Sequence, residues 1–253
     1  MKFNDFDKQM RIYEESLDQY ILPDMYLVAR LDGRSFTKLT NEICKSDTPF
    51  DTQFRDYMVE TTKYLMECGF RIVYGFTESD EISLLFHAKD DTFGRKVRKI
   101  NSILAGEASA VFSLKLGRIA TFDCRTIPLS NLEKVADYFI WRQEDAHRSS
   151  LDAHCYWALK KEGIEPGEAT AMLEGKSMSY KNELLFQRGI NYYELPVWQK
   201  RGIGVYFQDS VKEGDDPVSK DTAQTARREL TVNYDLTPGR KYGEWVAAFA
   251  DRE

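Results

Sequence analysis

Two apolar segments, residues 70–76 (FRIVYGF) and 82–87 (ISLLFH), are separated only by the polar Thr77-Glu78-Ser79-Asp80-Glu81. Short β-prone runs joined by a polar connection read as a hairpin, and a hairpin needs further strands to bury its faces. Residues 26–31 (YLVARL) supply one, running straight into Asp32-Gly33-Arg34, where glycine permits a tight turn. Residues 118–127 (RIATFDCRTI), ahead of Pro128, supply another. Between the first strand and the hairpin, Phe54, Tyr57, Met58, Thr61, Leu65 and Cys68 recur at spacings of three and four, from an entry at Pro49 and Asp51 to a stop at Gly69. After the hairpin, Val97, Ile100, Leu104, Ala108 and Val111 form a second helical stripe within residues 92–116, closed by Gly117. The order β, α, β, β, α, β is the ferredoxin-like split βαβ arrangement, an α+β antiparallel sheet with both helices on one face.

The remaining chain reads as mostly helical. A short helix opens it within residues 3–20, and beyond residue 130 we expect helices at 131–142, at 146–161, after Pro166 and at 180–188. A strand at 202–207, an acidic mobile surface loop at 211–221 and a loosely specified tail from Pro238 complete it. At 253 residues the chain is long for one core and short for two full domains, so the division expected is 6–130 and 131–253, the second part packed on the first. With 42% apolar residues, 15 Phe and 14 Tyr the composition excludes a disordered chain. The net charge of -6 excludes a polycationic binder, so any nucleic-acid site must be a local basic cluster. No apolar run approaches the roughly 18 residues of a membrane span, and the first ten residues are charged throughout, so a cytoplasmic, non-membrane protein is expected. Cys44, Cys68, Cys124 and Cys155 are widely spaced, without a CxxC pair, and read as reduced thiols.

In the inferred sheet, the strand ending at Asp32 neighbours the hairpin bearing Asp80 and Glu81, so three carboxylates meet at one edge. Such a cluster repels itself unless a cation sits between, and hard oxygen ligands without histidine or thiolate select Mg²⁺. A pair of such ions suits nucleotidyl transfer, with Asp32 and Asp80 as shared ligands; the plain alternative is a turn cap and an exposed hairpin. Residues 33–37 (GRSFT) offer main-chain N–H groups that could cradle a triphosphate. Arg95, Lys96, Arg98 and Lys99, helped by Arg30 and Arg125, would form a phosphate-binding surface beside the acids or a solvated helix face. His147 and His154 lie seven apart on one helical face and read as packing or polar contacts rather than metal ligands.

Arg30-Leu31-Asp32-Gly33-Arg34-Ser35-Phe36, then Tyr74-Gly75-Phe76 leading to Ser79-Asp80-Glu81, resemble the two signature segments of the tRNA-His guanylyltransferase family. Trp141-Arg142-Gln143-Glu144-Asp145-Ala146-His147, Lys181-Asn182-Glu183-Leu184-Leu185-Phe186 and Gly189-Ile190-Asn191-Tyr192, with Glu194-Leu195-Pro196, resemble further blocks in the same order. The resemblance implies a polymerase-palm-like catalytic domain and nucleotide addition at the 5′ end of tRNA, opposite in direction to ordinary polymerases. It implies two Mg²⁺ ions, ATP to activate a 5′-monophosphate, and GTP or other nucleoside triphosphates as donors. By position, Asp32 and Asp80 match metal-binding aspartates, Gly33 a backbone-carbonyl ligand and Glu81 the adjacent catalytic acid. Asp32, Gly33, Arg34, Ser35, Phe36, Thr37, Ser79 and Asp80 match nucleotide-binding segments. Arg30, Lys99 and Arg125 match residues that handle phosphate or tRNA, Lys181 a lysine of a later block, and His147 opens the segment that handles tRNA; Arg95 joins them from the basic surface. Homologues of this type form tetramers, dimers of dimers, so a homo-oligomer is expected.

The chain departs from the eukaryotic pattern at 147–154, HRSSLDAH in place of HINNLYNT, and at Thr48, where a lysine precedes the proline; Lys45 lies three residues upstream. The bacterial and archaeal guanylyltransferase-like branch fits better, and it implies template-dependent addition that repairs tRNAs lacking a 5′ nucleotide. The alternatives are a tRNA-His guanylyltransferase adding G at position −1, a nucleotide cyclase or cyclic-dinucleotide synthase on a similar sheet, and a tRNA-binding module without catalysis.

Overall fold

The computed structural model describes the backbone of residues 2–43, 49–215 and 222–252, and the side chains of 2–36, 38–40, 49–209 and 228–252. Cys44, Lys45, Thr48, the Thr37 side chain and residues 216–221 lie outside the described residues. The first half holds α1 (Phe3–Glu15), β1 (Tyr26–Gly33), α2 (Phe36–Ile43), α3 (Thr52–Leu65), β2 (Ile72–Glu78), β3 (Glu81–Phe86), α4 (Val97–Leu116) and β4 (Phe122–Leu129), in the expected order except for α2, an added helix after β1. The second half holds α5 (Leu132–Lys161), α6 (Pro166–Leu173), α7 (Met178–Phe186), α8 (Val197–Arg201), β5 (Ile203–Asp215), β6 (Thr222–Asn233) and α9 (Arg240–Ala247).

The strands form one antiparallel sheet in the order β4-β1-β3-β2-β5-β6, so the split βαβ core is extended by a late hairpin. α3 and α4 cover one face, where Ala29, Leu31, Leu84 and Phe86 meet Met58, Leu65, Ile100 and Leu104. On the other face Val28 and Leu85 meet Val135 and Phe139 of α5 and Tyr242 and Val246 of α9. A β-bulge between Ile72 and Tyr74 breaks the alternation of β2: Ile72 joins the first cluster, while Val73, Tyr74 and Phe76 join the second. α5 continues past the sheet, and its later turns pack Leu151, Cys155 and Leu159 against Leu173 of α6 and Leu185 of α7.

Several boundaries differ from the sequence reading. The two helices expected at 131–142 and 146–161 are the single 30-residue α5. Buried Arg142 and Gln143 interrupt its apolar pattern without interrupting its backbone; the Arg142 guanidinium pairs with Glu81 and Asp145, and the Gln143 amide N–H donates to the Thr237 carbonyl at 3.2 Å. The expected tail contains α9, and the expected loop begins as strand, with β5 reaching Asp215 and β6 starting at Thr222. β4 runs through Pro128, which an edge strand tolerates because one side needs no ladder donor.

α9 lies so close to α5 that a Cβ at Gly243 would sit 2.7 Å from the Ala136 carbonyl oxygen and 2.6 Å from Ile140 Cδ1. The main-chain oxygen cannot yield cheaply, so Gly243→Ala is expected to destabilise the fold by about 1–3 kcal/mol in urea denaturation.

Candidate active site

β1 and β3 bring the acids together. Asp32 is paired across the sheet with Glu81 on one side and Asp123 on the other, and the Gly33 N–H donates to the Asp80 carbonyl at 3.0 Å. Ser79 and Asp80 form the two-residue turn between paired Glu78 and Glu81. Ser79 takes a φ of 50° and Ser35 one of 60°, both in the left-handed region that costs a non-glycine residue about 1 kcal/mol or more. Strain is thus held at both signature segments, one on each side of Asp32. Gly33 is obligatory for a different reason: the Phe36 ring lies where its Cβ would be, with Cγ at 2.5 Å.

The carboxylates have different electrostatic fates. Burial and the nearby Asp32 push the Asp80 carboxyl up to about 6, and burial with Glu81 alongside pushes Glu78 to about 8. Glu81 is neutralised by protein: one carboxylate oxygen accepts from Arg30, the other from Arg142. Arg142, 2% exposed, also donates to Asp145 at 2.9 Å, and Arg30 lies 3.7 Å from Asp32. Among the described residues no group of three or more His, Cys, Asp or Glu side chains forms a metal cage. The available donors are Asp32, Asp80 and main-chain oxygens at the turn. A hard-oxygen set of two carboxylates fits magnesium, which takes most of its shell from water and phosphate.

Beside Asp80 opens a cavity of about 1030 Å³ between the start of α3, the β2–β3 turn, the later half of α5, and α6, α7 and α8. Glu78, Ser79 and Asp80 line one side, and Phe36 and Thr40 of α2 reach it. Asp51, which caps α3 by accepting from the Phe54 N–H at 2.8 Å, lies in its wall with Arg55, whose guanidinium rests 4.7 Å from the Trp198 ring centre. Arg148, Lys176 and Lys181 add positive charge from the second half of the chain, Lys181 paired with Asp152.

These cations replace the basic surface expected on α4. The last turn of α4, not its first, leads to β4 at the Asp32 end, where Gly33 pairs with Phe122 and the Arg34 N–H donates to Thr121 O at 2.8 Å. Lys99 is therefore about 25 Å of helix away from that end. Arg95 is buried and donates to the carbonyls of Pro23 and Met25, while Lys96 and Arg98 pair with Asp18. A helix returning antiparallel to its strand puts its start at the far pole of the sheet, which the stripe alone does not reveal. Arg125, opposite Arg30 in the ladder, is exposed and 3.6 Å from Asp123. His147 packs on Tyr192, with ring centres 5.4 Å apart, and burial and Arg201 lower its basicity. His154 is buried between Phe50 and Tyr192. Arg142, Glu78, Asp51, Arg55, Arg148 and Lys176 were not singled out as site residues in sequence. The Arg142–Asp145 spacing of three was a legible helix-face signal, whereas the other contacts depend on tertiary packing.

The chain is similar to known proteins along most of its length. Residues 7–130 match the family described as tRNAHis guanylyltransferase, and residues 133–237 match its C-terminal domain. A tRNA(His) guanylyltransferase of Debaryomyces hansenii is 33% identical over 226 residues, covering 84% of each chain. A bacterial tRNA(His) guanylyltransferase (Thg1)-like protein solved in complex with ATP superimposes with a TM-score of 0.74 at 26% identity, over 97% of this chain and 99% of that one. A bacterial protein of the same description in complex with GTP gives 0.71 at 27% identity, with the same coverage.

Two consequences are measurable. Removing the shared guanidinium by Arg142→Met leaves one Glu81 oxygen and the Asp145 carboxylate without their partner and is expected to cost about 3 kcal/mol in urea unfolding; adding Glu81→Gln should cost less than the two single losses combined. Burial lowers His154 to about 4. The unfolded chain then takes up its proton first, so the contribution of neutral His154 is complete above about pH 6.5 and is lost as pH falls toward 4. Between about pH 7.5 and pH 5, His154→Asn should lose about 2 kcal/mol less stability than the wild type.

Proposed function

We propose, on the premise that the chain belongs to the tRNA-His guanylyltransferase family, that it is a nucleotidyltransferase adding nucleotides in the 3′–5′ direction to the 5′ end of tRNA, directed by the opposing strand. The observation that carries this reading is that Asp80, held beside Asp32 by the Gly33 N–H at 3.0 Å, lines a cavity large enough for a nucleoside triphosphate. The family supports the reaction, and the relatives solved with ATP and with GTP support nucleotide binding at this fold. Asp32, Asp80 and the Gly33 carbonyl would hold two Mg²⁺ ions, which when bound supply Lewis-acid stabilisation of phosphoryl oxygens.

The chain's own residues then divide the work. Ser35 and Ser79, held in left-handed backbone, aim main-chain groups at the triphosphate. Arg55, Arg148, Lys176 and Lys181 offset phosphate charge in the cavity, with Arg34 and Arg125 exposed for the RNA backbone. In the first step an oxygen of the tRNA 5′-monophosphate attacks the α-phosphorus of ATP and pyrophosphate leaves. In the second, the 3′-hydroxyl of the incoming nucleotide attacks the 5′-phosphorus of the adenylylated end and AMP leaves, so each bond formed matches one broken. Base pairing selects the nucleotide while the protein holds backbone. Arg142 and Arg30 keep Glu81 out of competition for the cations, making it a positioning residue in this scheme. We assign the reaction to the cytoplasm; no helix among the described residues is long and apolar enough to cross a membrane.

The second reading, addition of G at position −1, is favoured by the name shared by the eukaryotic relatives. Against it, the departing segment at 147–154 buries His154 between Phe50 and Tyr192 instead of offering it to RNA.

A tRNA transcript lacking its first nucleotide, labelled at its 5′-monophosphate and supplied with Mg²⁺, ATP and each nucleoside triphosphate in turn, separates the two. Addition only of the nucleotide complementary to the opposing base is expected, and G added whatever that base is would overturn template direction. Asp32→Ala and Asp80→Ala should each lower the rate by about 100- to 1000-fold or more, and full turnover in both would remove the metal assignment.

A further inference from the structure

A second cleft opens where β5 outruns β2. The ladder between the two strands ends at Tyr74 and Tyr206 while β5 continues, so from Phe207 onward its β2-side edge has no neighbouring strand among the described residues. Val73 and the end of α9 complete the walls of a space of about 330 Å³. It lies at the start of β2, roughly 17 Å of strand from Glu78, and shares no lining residue with the cavity beside Asp80.

The walls are aromatic and the charge they carry is mostly positive. Trp245 stands at 89° to Tyr206 and at 86° to Phe249, with each ring centre 5.0 Å from its own, so the three rings form a corner. Arg228 of β6 lies 4.7 Å from the Phe207 ring centre, and Arg252 lies 4.5 Å from that of Phe249. Both arginines are exposed, and among the described residues neither guanidinium has a hydrogen-bond or ion-pair partner. Arg252 is nonetheless fixed by its backbone: the Ala88 N–H donates to the Ala250 carbonyl at 2.8 Å, and His87 Nε2 lies 3.0 Å from the Arg252 carbonyl oxygen. In a chain with 41 acidic and 35 basic residues, two arginines without a carboxylate at one cleft are the kind of local basic cluster that a nucleic-acid site requires. Asp209, opposite Arg228 in the β5–β6 ladder, also lines the space and brings its charge to about +1.

We propose that this cleft binds a single nucleotide, its base laid in the Trp245 corner and its phosphate met by Arg228 and Arg252. A volume at the small end of ligand pockets, which run from about 300 to 1,000 Å³, has room for one base with its sugar and phosphate. Aromatic faces take any base by stacking, whereas a quaternary cation, which also favours such a corner, is repelled by two guanidiniums. Asp209 supplies an acceptor for a base amino group. An unpaired nucleotide within RNA and a free nucleoside monophosphate share this chemistry. The lining charge matches the single charge of a phosphodiester better than the roughly −2 of a terminal phosphate, which favours RNA as the source. The cleft requires nothing of Asp32 or Asp80, so it stands apart from the metal assignment.

The test is fluorescence anisotropy of a labelled single-stranded pentaadenylate titrated with the full-length protein in EDTA, with AMP as competitor. Saturable binding is expected. Arg228→Gln with Arg252→Gln should weaken it at least about tenfold and lower the slope of log affinity against log salt by about 1. Both positions are exposed, so the unfolding midpoint and ATP binding with Mg²⁺ should be retained. Trp245→Leu should weaken binding about tenfold, and Trp245→Phe, which keeps a stacking face, should restore most of it. Arg11→Gln on α1 should change nothing. A pentamer bearing 5-iodouridine should attach on irradiation to Tyr206, Trp245 or Phe249. Displacement by AMP would assign the site to free nucleotide and its failure to RNA, and either result upholds a nucleotide site. No binding of either probe, binding that the double arginine variant leaves intact, or attachment confined to the cavity beside Asp80 would overturn the proposal.

Discussion

The placement of every acid at the site depends on the bridge from Arg30 through Glu81 to Arg142. Three carboxylates at one sheet end would repel, and a single buried guanidinium would leave one of them unmatched. By giving each oxygen of Glu81 its own arginine, one from the neighbouring strand and one from α5, the fold neutralises the middle acid at the sheet end that Asp32 and Asp80 share. The same bridge fastens α5 to the sheet, so the helix that lines the cavity and the strands that carry Arg30 and Glu81 are set by one interaction. Tyr138, one turn earlier in α5, repeats the attachment through a hydrogen bond with Ser83 at 3.0 Å.

The sheet's central topology was legible because each of its elements carries a local signal. The hairpin has its polar turn, β1 its apolar run into Asp32-Gly33, and α3 and α4 their stripes and glycine stops. What lacked such signals was misread. α5 was split in two because Arg142 and Gln143 are buried polar residues on its inward face, which mimic a break in periodicity. α9 was read as tail because Pro238 and Gly239 resemble loop residues, although Gly243 just beyond them lets two helix backbones approach. β5 was cut short at Phe207 and β6 was not read as a strand, because the residues beyond Phe207 are mostly polar and show no apolar alternation.

The site divides the same way. Asp32, Asp80 and Glu81 sit at strand ends, and strand ends can be placed from sequence once the pairing order is known. Lys181 and Arg148 reach the cavity only because α5 to α7 fold back over the sheet end, and no spacing along the chain encodes that return. Arg95 shows the reverse: a basic residue in a basic run whose guanidinium satisfies two main-chain carbonyls and is spent on structure.

The position of β5 in the sheet has a consequence for how the chain comes to be folded. β2 finds its outer partner only at Ile203 to Tyr206, well over a hundred residues later, and the β5–β6 hairpin that covers this edge lies near the end of the sequence. During synthesis the nascent split βαβ unit can pair β1, β2, β3 and β4, but the outer β2 edge stays unpaired until β5 has emerged. Pairing at such separation is slow because loop closure precedes any gain from contact. Residues 72–78, apolar and open to any passing strand in that interval, are the segment of the newborn protein with most need of shelter from a chaperone.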